Sequence, residues 1–244
     1  MSEMPSTEAP SLGLVARIIG VIFSPTETFK DVARHPRPVG VLAVVCLAIG
    51  LAAGLPQFTQ VGRQAAIDMQ VEQIERFSGQ PVTPEMYAQM EARAGAGAYT
   101  SMIGVFIGVP VVVLIFSAVY WAIFNVVLGG TASLKEVLGV TAHAQVIGAL
   151  GAVVGVPIQL MQGVLTQSGP FNLGALVPML EPDSLLAVFL GAISVFSLWQ
   201  AVVNGLGLAV LYKRKPALFI ITLLAITLGF TALFSVGFSL IMGR

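Results

Sequence analysis

The sequence predicts an all-α polytopic membrane protein, a bundle of about five spanning helices. Hydrophobic residues make up 56% of the 244 positions, charged residues make up only 10%, and the mean hydropathy is +0.90. Soluble domains carry about 25% charged residues, so this chain has too little polar surface to enclose its apolar side chains in water. Lipid must therefore act as part of its solvent, which predicts an integral membrane protein.

Five apolar segments are long enough to cross a bilayer, for which about 20 helical residues are needed. The last two are separated by only three basic residues, 213–215, which predicts a tight hairpin at one membrane face. The predicted spans are Val39–Phe58, Ser101–Leu128, Val137–Leu160, Ser184–Tyr212 and Pro216–Met242. The chain thus divides into an N-terminal region, residues 1–38, and a membrane domain, residues 39–244.

The N-terminal region predicts two short helices before the first span. Leu12–Phe23 has an apolar face with one arginine, which is typical of a helix at the membrane interface. Ser24-Pro25-Thr26-Glu27 predicts a second helix start with a capping box, and Pro36 should end that helix near His35. We expect both helices to lie on the cytoplasmic surface. The N-terminus has no cleavage signal and is interpreted as part of the mature chain.

Residues 59–100 form the only sizeable polar segment and predict a helical hairpin outside the membrane. Gln64–Phe77 has helical spacing, and Gly79 and Pro81 should end that helix. Thr83-Pro84-Glu85 then predicts the start of a second helix that runs into the next span.

The distribution of basic residues predicts the orientation. With the N-terminus in the cytoplasm, eight basic residues fall in inside segments and four in outside segments. We therefore expect the N-terminus inside and the C-terminus outside. Twelve basic and twelve acidic residues cancel, so no field attracts nucleic acid, and no nucleic-acid partner is expected.

Three stretches of the chain form an ordered set of short motifs. The first is Ser24-Pro25-Thr26-Glu27-Thr28-Phe29 followed by His35-Pro36. The second is Gly129-Gly130-Thr131-Ala132-Ser133-Leu134-Lys135-Glu136-Val137-Leu138. The third is Trp199 followed by Gly205, Gly207, Lys213–Lys215 and Ala217. In order and spacing these motifs resemble the Yip membrane family, the Ypt/Rab-interacting proteins, and the likeness covers about residues 12 to 240.

The resemblance implies a five-span protein of the bacterial type, and that the membrane is the inner membrane of a bacterium. Eukaryotic members of the family bind Rab GTPases in vesicle traffic, whereas bacterial members have no Rab partner. The family implies no catalytic residues.

The five predicted spans contain no Asp, Glu, Lys or Arg, which argues against an ion-coupled pump. His143 predicts either a pH-sensitive or metal-binding group, or a neutral imidazole bonded to a neighbouring helix. Ser197, Gln200 and Asn204 form a stripe at helical spacing. With Gln159 at the outer end of the third span, they predict either a pore lining or hydrogen bonds between helices.

Two further patterns predict contacts with the surroundings. Small residues recur at four-residue spacing in the pairs Gly50/Gly54, Gly104/Gly108 and Gly151/Gly155, which favours close helix packing within the bundle or self-association. Five of the eight inside basic residues form a cluster on the predicted cytoplasmic face, where they either contact anionic lipid headgroups or only fix the topology. They are Arg34, Arg37, Lys213, Arg214 and Lys215.

No enzyme motif is present: the sequence has no P-loop, His-Glu-x-x-His, paired-cysteine or Gly-x-Ser-x-Gly pattern. We therefore predict no catalytic, cofactor-binding or metal-binding residues. The leading hypothesis is a non-enzymatic scaffold or adaptor whose partners are the lipid bilayer, other membrane proteins or a second copy. The alternatives are a small-solute channel or carrier, and an accessory subunit that docks into a larger membrane complex through the hairpin.

Overall fold

The computed structural model describes residues 11–163, 165–166, 169–181 and 184–241, and this part of the chain is helical almost throughout. Five of its helical segments are long and apolar enough to span a membrane, which confirms the predicted all-α membrane bundle. The helices are α1 Leu14–Phe23, α2 Pro25–Arg34, α3 Pro38–Gly54, α4 Gln60–Ser78, α5 Pro84–Trp121, α6 Leu134–Met161, α7 Leu185–Gly191, α8 Val195–Tyr212 and α9 Pro216–Ile241.

Polar caps begin the helices that follow loops. The hydroxyls of Thr59 and Thr83 accept hydrogen bonds from backbone N–H groups at the starts of α4 and α5. Ser133 and Glu136 form a reciprocal capping box at the start of α6, which satisfies N–H groups that have no partner inside the helix. Gly79 ends α4 with φ 68°, so the predicted helical hairpin of α4 and α5 is confirmed.

The central helix of the bundle is α6, which packs against α3, α5 and α8. Of its spanning part 56% is buried, against 11% in α5 and in α9. The outer helices expose apolar side chains such as Ile107, at 64%, and Ile221, at 65%. Surface of this kind is stable only against lipid or another apolar helix.

The predicted fourth span, Ser184–Tyr212, is wrong as a single helix. The chain forms the short helix α7, breaks at residues 192–194, and continues as the 18-residue span α8. The break is held by the preceding loop, since Leu173 N donates to Ile193 O at 2.9 Å and Val195 N donates to Phe171 O at 2.8 Å. The bonds that interrupt the helix come from residues about 20 positions earlier in the chain. The pattern of apolar residues within the segment itself therefore does not indicate the break.

The capping box predicted at the start of α2 does not form. Ser24 ends α1, where its N–H donates to Gly20 O at 2.7 Å, and it also precedes α2. In this shared position its hydroxyl makes no cap bond; instead Thr28 Oγ1 donates to Ser24 O at 3.0 Å. Glu27 pairs with Lys30 at 2.7 Å. The predicted bounds of α2 are nevertheless confirmed.

The two N-terminal helices pack onto the end of the bundle. α1 turns Val15 and Phe23 outward, at 68% and 79% exposure, and buries Arg17 at 2%. α2 contacts α6 and α8, and its Phe29 and Val32 are fully buried. One face of α2 is thus part of the core, which goes beyond the surface position expected from the sequence.

Antiparallel threading of the spans gives the bundle two ends. The basic end, as we call it, comprises residues 34–38, 128–134 and 213–215. The hairpin end comprises residues 58–100, 162–163, 165–166, 169–181 and 184–194.

Candidate functional site

A glycine pair shapes the loop between α5 and α6 at the basic end. α5 ends in one π-helical segment, Ala122–Val127, a feature frequent at functional sites. Gly129 follows with φ 66°, in the left-handed region that favours glycine. A Cβ on Gly130 would overlap Tyr212 Cε1 and lie 2.7 Å from Phe124 O. Only glycine at this position lets the loop press against the end of α8.

Hydrogen bonds join this loop to the end of α8. Tyr212 Oη donates to Asn125 Oδ1 at 2.9 Å, and Asn125 Nδ2 donates to Ala132 O. Trp121 Nε1 donates to the same carbonyl at 3.0 Å. Below them the ring centroids of Phe124 and Phe219 are 4.5 Å apart. Four elements therefore meet in one rigid junction.

The turn between α8 and α9 is tight and basic. Lys213 adopts a left-handed conformation with φ 54°, and Arg214 N donates to Ala209 O at 3.0 Å. Arg214 Nη2 also donates to Leu128 O at 3.2 Å, which fixes the turn against the glycine loop. Only three residues separate the end of α8 from the start of α9, so the predicted tight hairpin is confirmed. Lys213, Arg214 and Lys215 are all exposed.

Arg34 and Arg37 are exposed at the same end of the bundle. The described carboxylates on the helices next to the basic end are already engaged: Glu27 with Lys30, Asp31 with Arg17, and Glu136 with Ser133. Among the described residues, no carboxylate pairs with Arg34, Arg37, Lys213, Arg214 or Lys215. The basic end therefore presents five cations whose charge is available to a ligand or partner.

A buried ion pair fastens α1 to α2. Arg17 Nε donates to Asp31 Oδ2 at 2.7 Å, and Arg17 Nη1 donates to His35 O at 3.0 Å. The side chain of Arg17 is 3% exposed and that of Asp31 is 15% exposed. Asp31 Oδ1 also accepts from Leu12 N at 3.1 Å, so one carboxylate orders the start of α1 as well.

The polar stripe of α8 does not act as a unit. Ser197 Oγ donates to Ser194 O at 2.6 Å, a bond within its own chain segment. Gln200 Nε2 donates to Gln145 Oε1 at 2.6 Å and so links α8 to α6. Asn204 is 4% exposed, and its Oδ1 has no hydrogen-bond partner among the described residues.

The two polar candidates on α6 lie in different surroundings. His143 is fully buried, its Nδ1 is 2.7 Å from Gly139 O on its own helix, and its Nε2 has no partner in the described chain. The expected bond from this ring to a neighbouring helix is therefore not made. Gln159 Oε1 accepts from Thr166 N at 2.6 Å and so fastens the loop after α6.

The glycine pairs also have separate roles. A Cβ on Gly54 or Gly151 would meet Met102 or Phe196 within 3 Å, so those two pairs pack inside the bundle. Gly104 and Gly108 have no atom within 4 Å of an added Cβ and lie on an open face of α5.

The described residues contain no group of three or more His, Cys, Asp or Glu side chains that could hold a metal ion. The single cysteine, Cys46, is buried and free.

Three partners were missed by sequence reasoning. Asp31 lies in an ordinary exposed-helix pattern, and the one signal of a pair was the single arginine in the otherwise apolar α1. Gln145 and Tyr212 are the partners of Gln200 and Asn125 across helices. No signal in one sequence shows which polar residues on separate helices meet.

Comparison with known proteins gives matches over most of the chain. The family profile described as the Yip1 domain matches residues 19–236, from within α1 to within α9. Membrane protein YknW of Bacillus subtilis (strain 168) is 26% identical over 203 residues, which are 83% of this chain and 79% of that protein. No solved structure matches the chain.

Proposed function

This chain belongs to the Yip1 domain family of membrane proteins, and we propose that it acts as a non-enzymatic scaffold whose basic end organises anionic lipid and other membrane proteins. The proposal places it in a bacterial inner membrane with the basic end in the cytoplasm. Its relative in Bacillus subtilis is named a membrane protein, in keeping with that location.

The observation that carries the proposal is a set of five exposed cations, none paired with a described carboxylate, at one end of the bundle. The junction of Tyr212, Asn125 and Ala132 holds the turn in place. Each basic residue near an anionic bilayer contributes roughly 1 kcal/mol of attraction. Because the bonds of this junction hold the backbone of the turn, less of that backbone has to be ordered when a ligand binds.

The orientation rests on the excess of basic residues at this end, because Lys and Arg are retained on the cytoplasmic side. The structure adds that these residues lie outside the spans, where they can reach the headgroups.

The use of polar groups inside the bundle supports a scaffold over a channel. Gln200 bonds Gln145, and Gln159 bonds Thr166, so these side chains hold helices and loops together. Interhelical bonds of this kind stabilise membrane bundles by roughly 0.6 to 2 kcal/mol each.

A pull-down from gently solubilised membranes tests the scaffold. We expect defined membrane proteins to co-purify with the wild type, and to be lost from the variant R34Q/R37Q/K213Q/K215Q. The matched control is R63Q/R93Q, which removes two cations from the hairpin end and should retain those proteins. Equal recovery in all three proteins would contradict the proposed role of the basic end.

Flux measurements on liposomes test the alternative of a channel or carrier. The scaffold proposal predicts no difference in solute flux between wild-type liposomes and protein-free ones. Flux that disappears in Q200L/N204L would instead support a conduit along the stripe.

A further inference from the structure

The helical hairpin contains a groove that the proposed scaffold does not use. The hairpin groove, as we name it, has a volume of about 450 Å³ between α4 and the first half of α5. Gln64 Nε2 donates to Tyr87 Oη at 2.8 Å, which joins the two helices. Val82 N donates to Glu75 Oε1 at 3.0 Å, which holds the turn between them against α4.

Two arginines give the groove its charge. Arg63, half-buried, and Arg93 both line it, and none of its described lining residues is a carboxylate. Among the described residues, neither arginine has a hydrogen bond or an ion pair. Asp68 and Glu91 border a separate, adjoining cavity of about 730 Å³, which Arg63 also reaches. A pair of unpartnered guanidinium groups in one concave site is suited to an anion, since each can form charge-assisted hydrogen bonds.

The groove opens beside the ends of two predicted spans. Gln57, Gly97 and Thr100 line it, and Gln57 Nε2 donates to Ser101 Oγ at 2.8 Å where the predicted spans end. Arg93 precedes Ser101 by eight residues, or about 12 Å along a helix. The polar layer of each leaflet is about 5–7 Å thick, so Arg93 starts above that layer and reaches a headgroup only with its long side chain.

Apolar surface continues below the arginines toward the hydrocarbon. Tyr99 and Ile103 on α5 are 59% and 60% exposed, and Phe58 beside them is 50% exposed. The centroids of the Phe58 and Tyr99 rings are 5.7 Å apart in an edge-to-face arrangement. Aromatic side chains at a bilayer boundary contact both headgroup and acyl chain.

We propose that the hairpin groove binds the phosphate of one phospholipid from the adjacent leaflet, with a headgroup that carries no cation. Arg63 and Arg93 bind the phosphate, and the amides of Gln70 and Gln89, which also line the groove, bind headgroup hydroxyls. The acyl chains lie along Tyr99 and Ile103. Choline and ethanolamine headgroups are disfavoured within the groove, where their ammonium group would meet two arginines and no lining carboxylate. Asp68 and Glu91 border only the adjoining cavity.

Native mass spectrometry of the full-length protein tests this site. The protein is released from mixed micelles that hold equal amounts of phosphatidylglycerol and phosphatidylcholine, and the bound lipid is counted. We expect the wild type to retain phosphatidylglycerol, and R63Q/R93Q to bind it at least about tenfold more weakly, since each lost bond is to a charged group. Ala94→Trp fills the groove without changing its charge and should cause a similar loss, provided that its melting temperature stays near that of the wild type.

The matched control is R34Q/R37Q, which removes two cations at the basic end. It should lose only the phosphatidylglycerol held at the basic end and keep the lipid in the groove, so the two losses are counted separately. Unchanged retention in R63Q/R93Q, or a loss only in R34Q/R37Q, would overturn the proposal. Displacement of the lipid by inorganic phosphate at an equal concentration would show a free-anion site and would also overturn it. Lipid retention is measured separately from the protein partners of the basic end, so either proposal can fail alone.

Discussion

At the scale of single residues, the basic end depends on a close approach that only glycine allows. Gly130 lies under Tyr212, and its N–H donates to Phe124 O at 2.9 Å. The resemblance found in the sequence includes this glycine pair, and the structure supplies its physical reason. Nearby atoms of the main chain cannot move aside as a flexible side chain could.

We predict that Gly130→Ala destabilises the protein by roughly 1–3 kcal/mol, because the new methyl group overpacks the junction. Thermal unfolding in mild detergent, followed by size-exclusion chromatography, measures the loss. Gly104→Ala is the control: its Cβ meets no atom within 4 Å, and alanine favours a helix over glycine by about 1 kcal/mol. Equal stability of the two variants would contradict the assigned contact.

The ion pair between Arg17 and Asp31 allows a second prediction at this scale. Asp31→Leu leaves a buried guanidinium group without its carboxylate and should cost about 3–5 kcal/mol. Arg17→Met combined with Asp31→Leu removes both charges and should recover at least half of that loss. Unfolding by titration with SDS in mixed micelles gives the free energies. If the double variant is as unstable as Asp31→Leu alone, the loss of stability does not come from the unpaired charge of Arg17.

At the scale of elements, α6 and α8 are joined by one polar contact in an apolar interface. A Cβ on Gly148 would lie 2.7 Å from Gln200 Oε1, so the small residue makes room for the amide pair. The pair thus combines the two devices that hold membrane helices together: close backbone approach and a hydrogen bond.

A double-mutant cycle of Gln145→Leu and Gln200→Leu measures this contact. We expect a coupling free energy of about 0.6–2 kcal/mol, the range for bonds between membrane helices. On the same stripe, the hydroxyl of Ser197 bonds only to the backbone oxygen of Ser194. Ser197→Ala should therefore show no coupling to Gln145→Leu. A coupling near zero for the glutamines would mean that they do not bond in the membrane.

At the scale of the whole molecule, each of the five candidate spans runs between the basic end and the hairpin end. In a bilayer that these spans cross, the two ends lie on opposite sides. We predict that a membrane-impermeant thiol reagent added to intact cells modifies Gln80→Cys, in the turn of the hairpin, and spares Lys215→Cys until the membrane is opened. Native Cys46 is 2% exposed and gives little background. Labelling of residue 215 from outside would reverse the proposed orientation.

Sequence alone determined the architecture, because burying apolar helices in lipid is a property of composition and run length. It placed four of the five spans, the start of α5 at Thr83-Pro84-Glu85 and the end of α4 at Gly79, since caps and turns are set by neighbours in the chain. It also named His143, Gln159 and the Ser197–Asn204 stripe as polar candidates, but not what each would contact.

Only the tertiary structure decided which of these residues meet. The break in the fourth predicted span depends on a loop 20 residues earlier, the Arg17–Asp31 pair on the packing of α1 over α2, and the Gln200–Gln145 bond on the register of α8 against α6. The hairpin groove and its two unpaired arginines also exist only because α4 packs beside α5. Contacts between helices are set by their relative positions in space, and a pattern along one chain carries no measure of that distance.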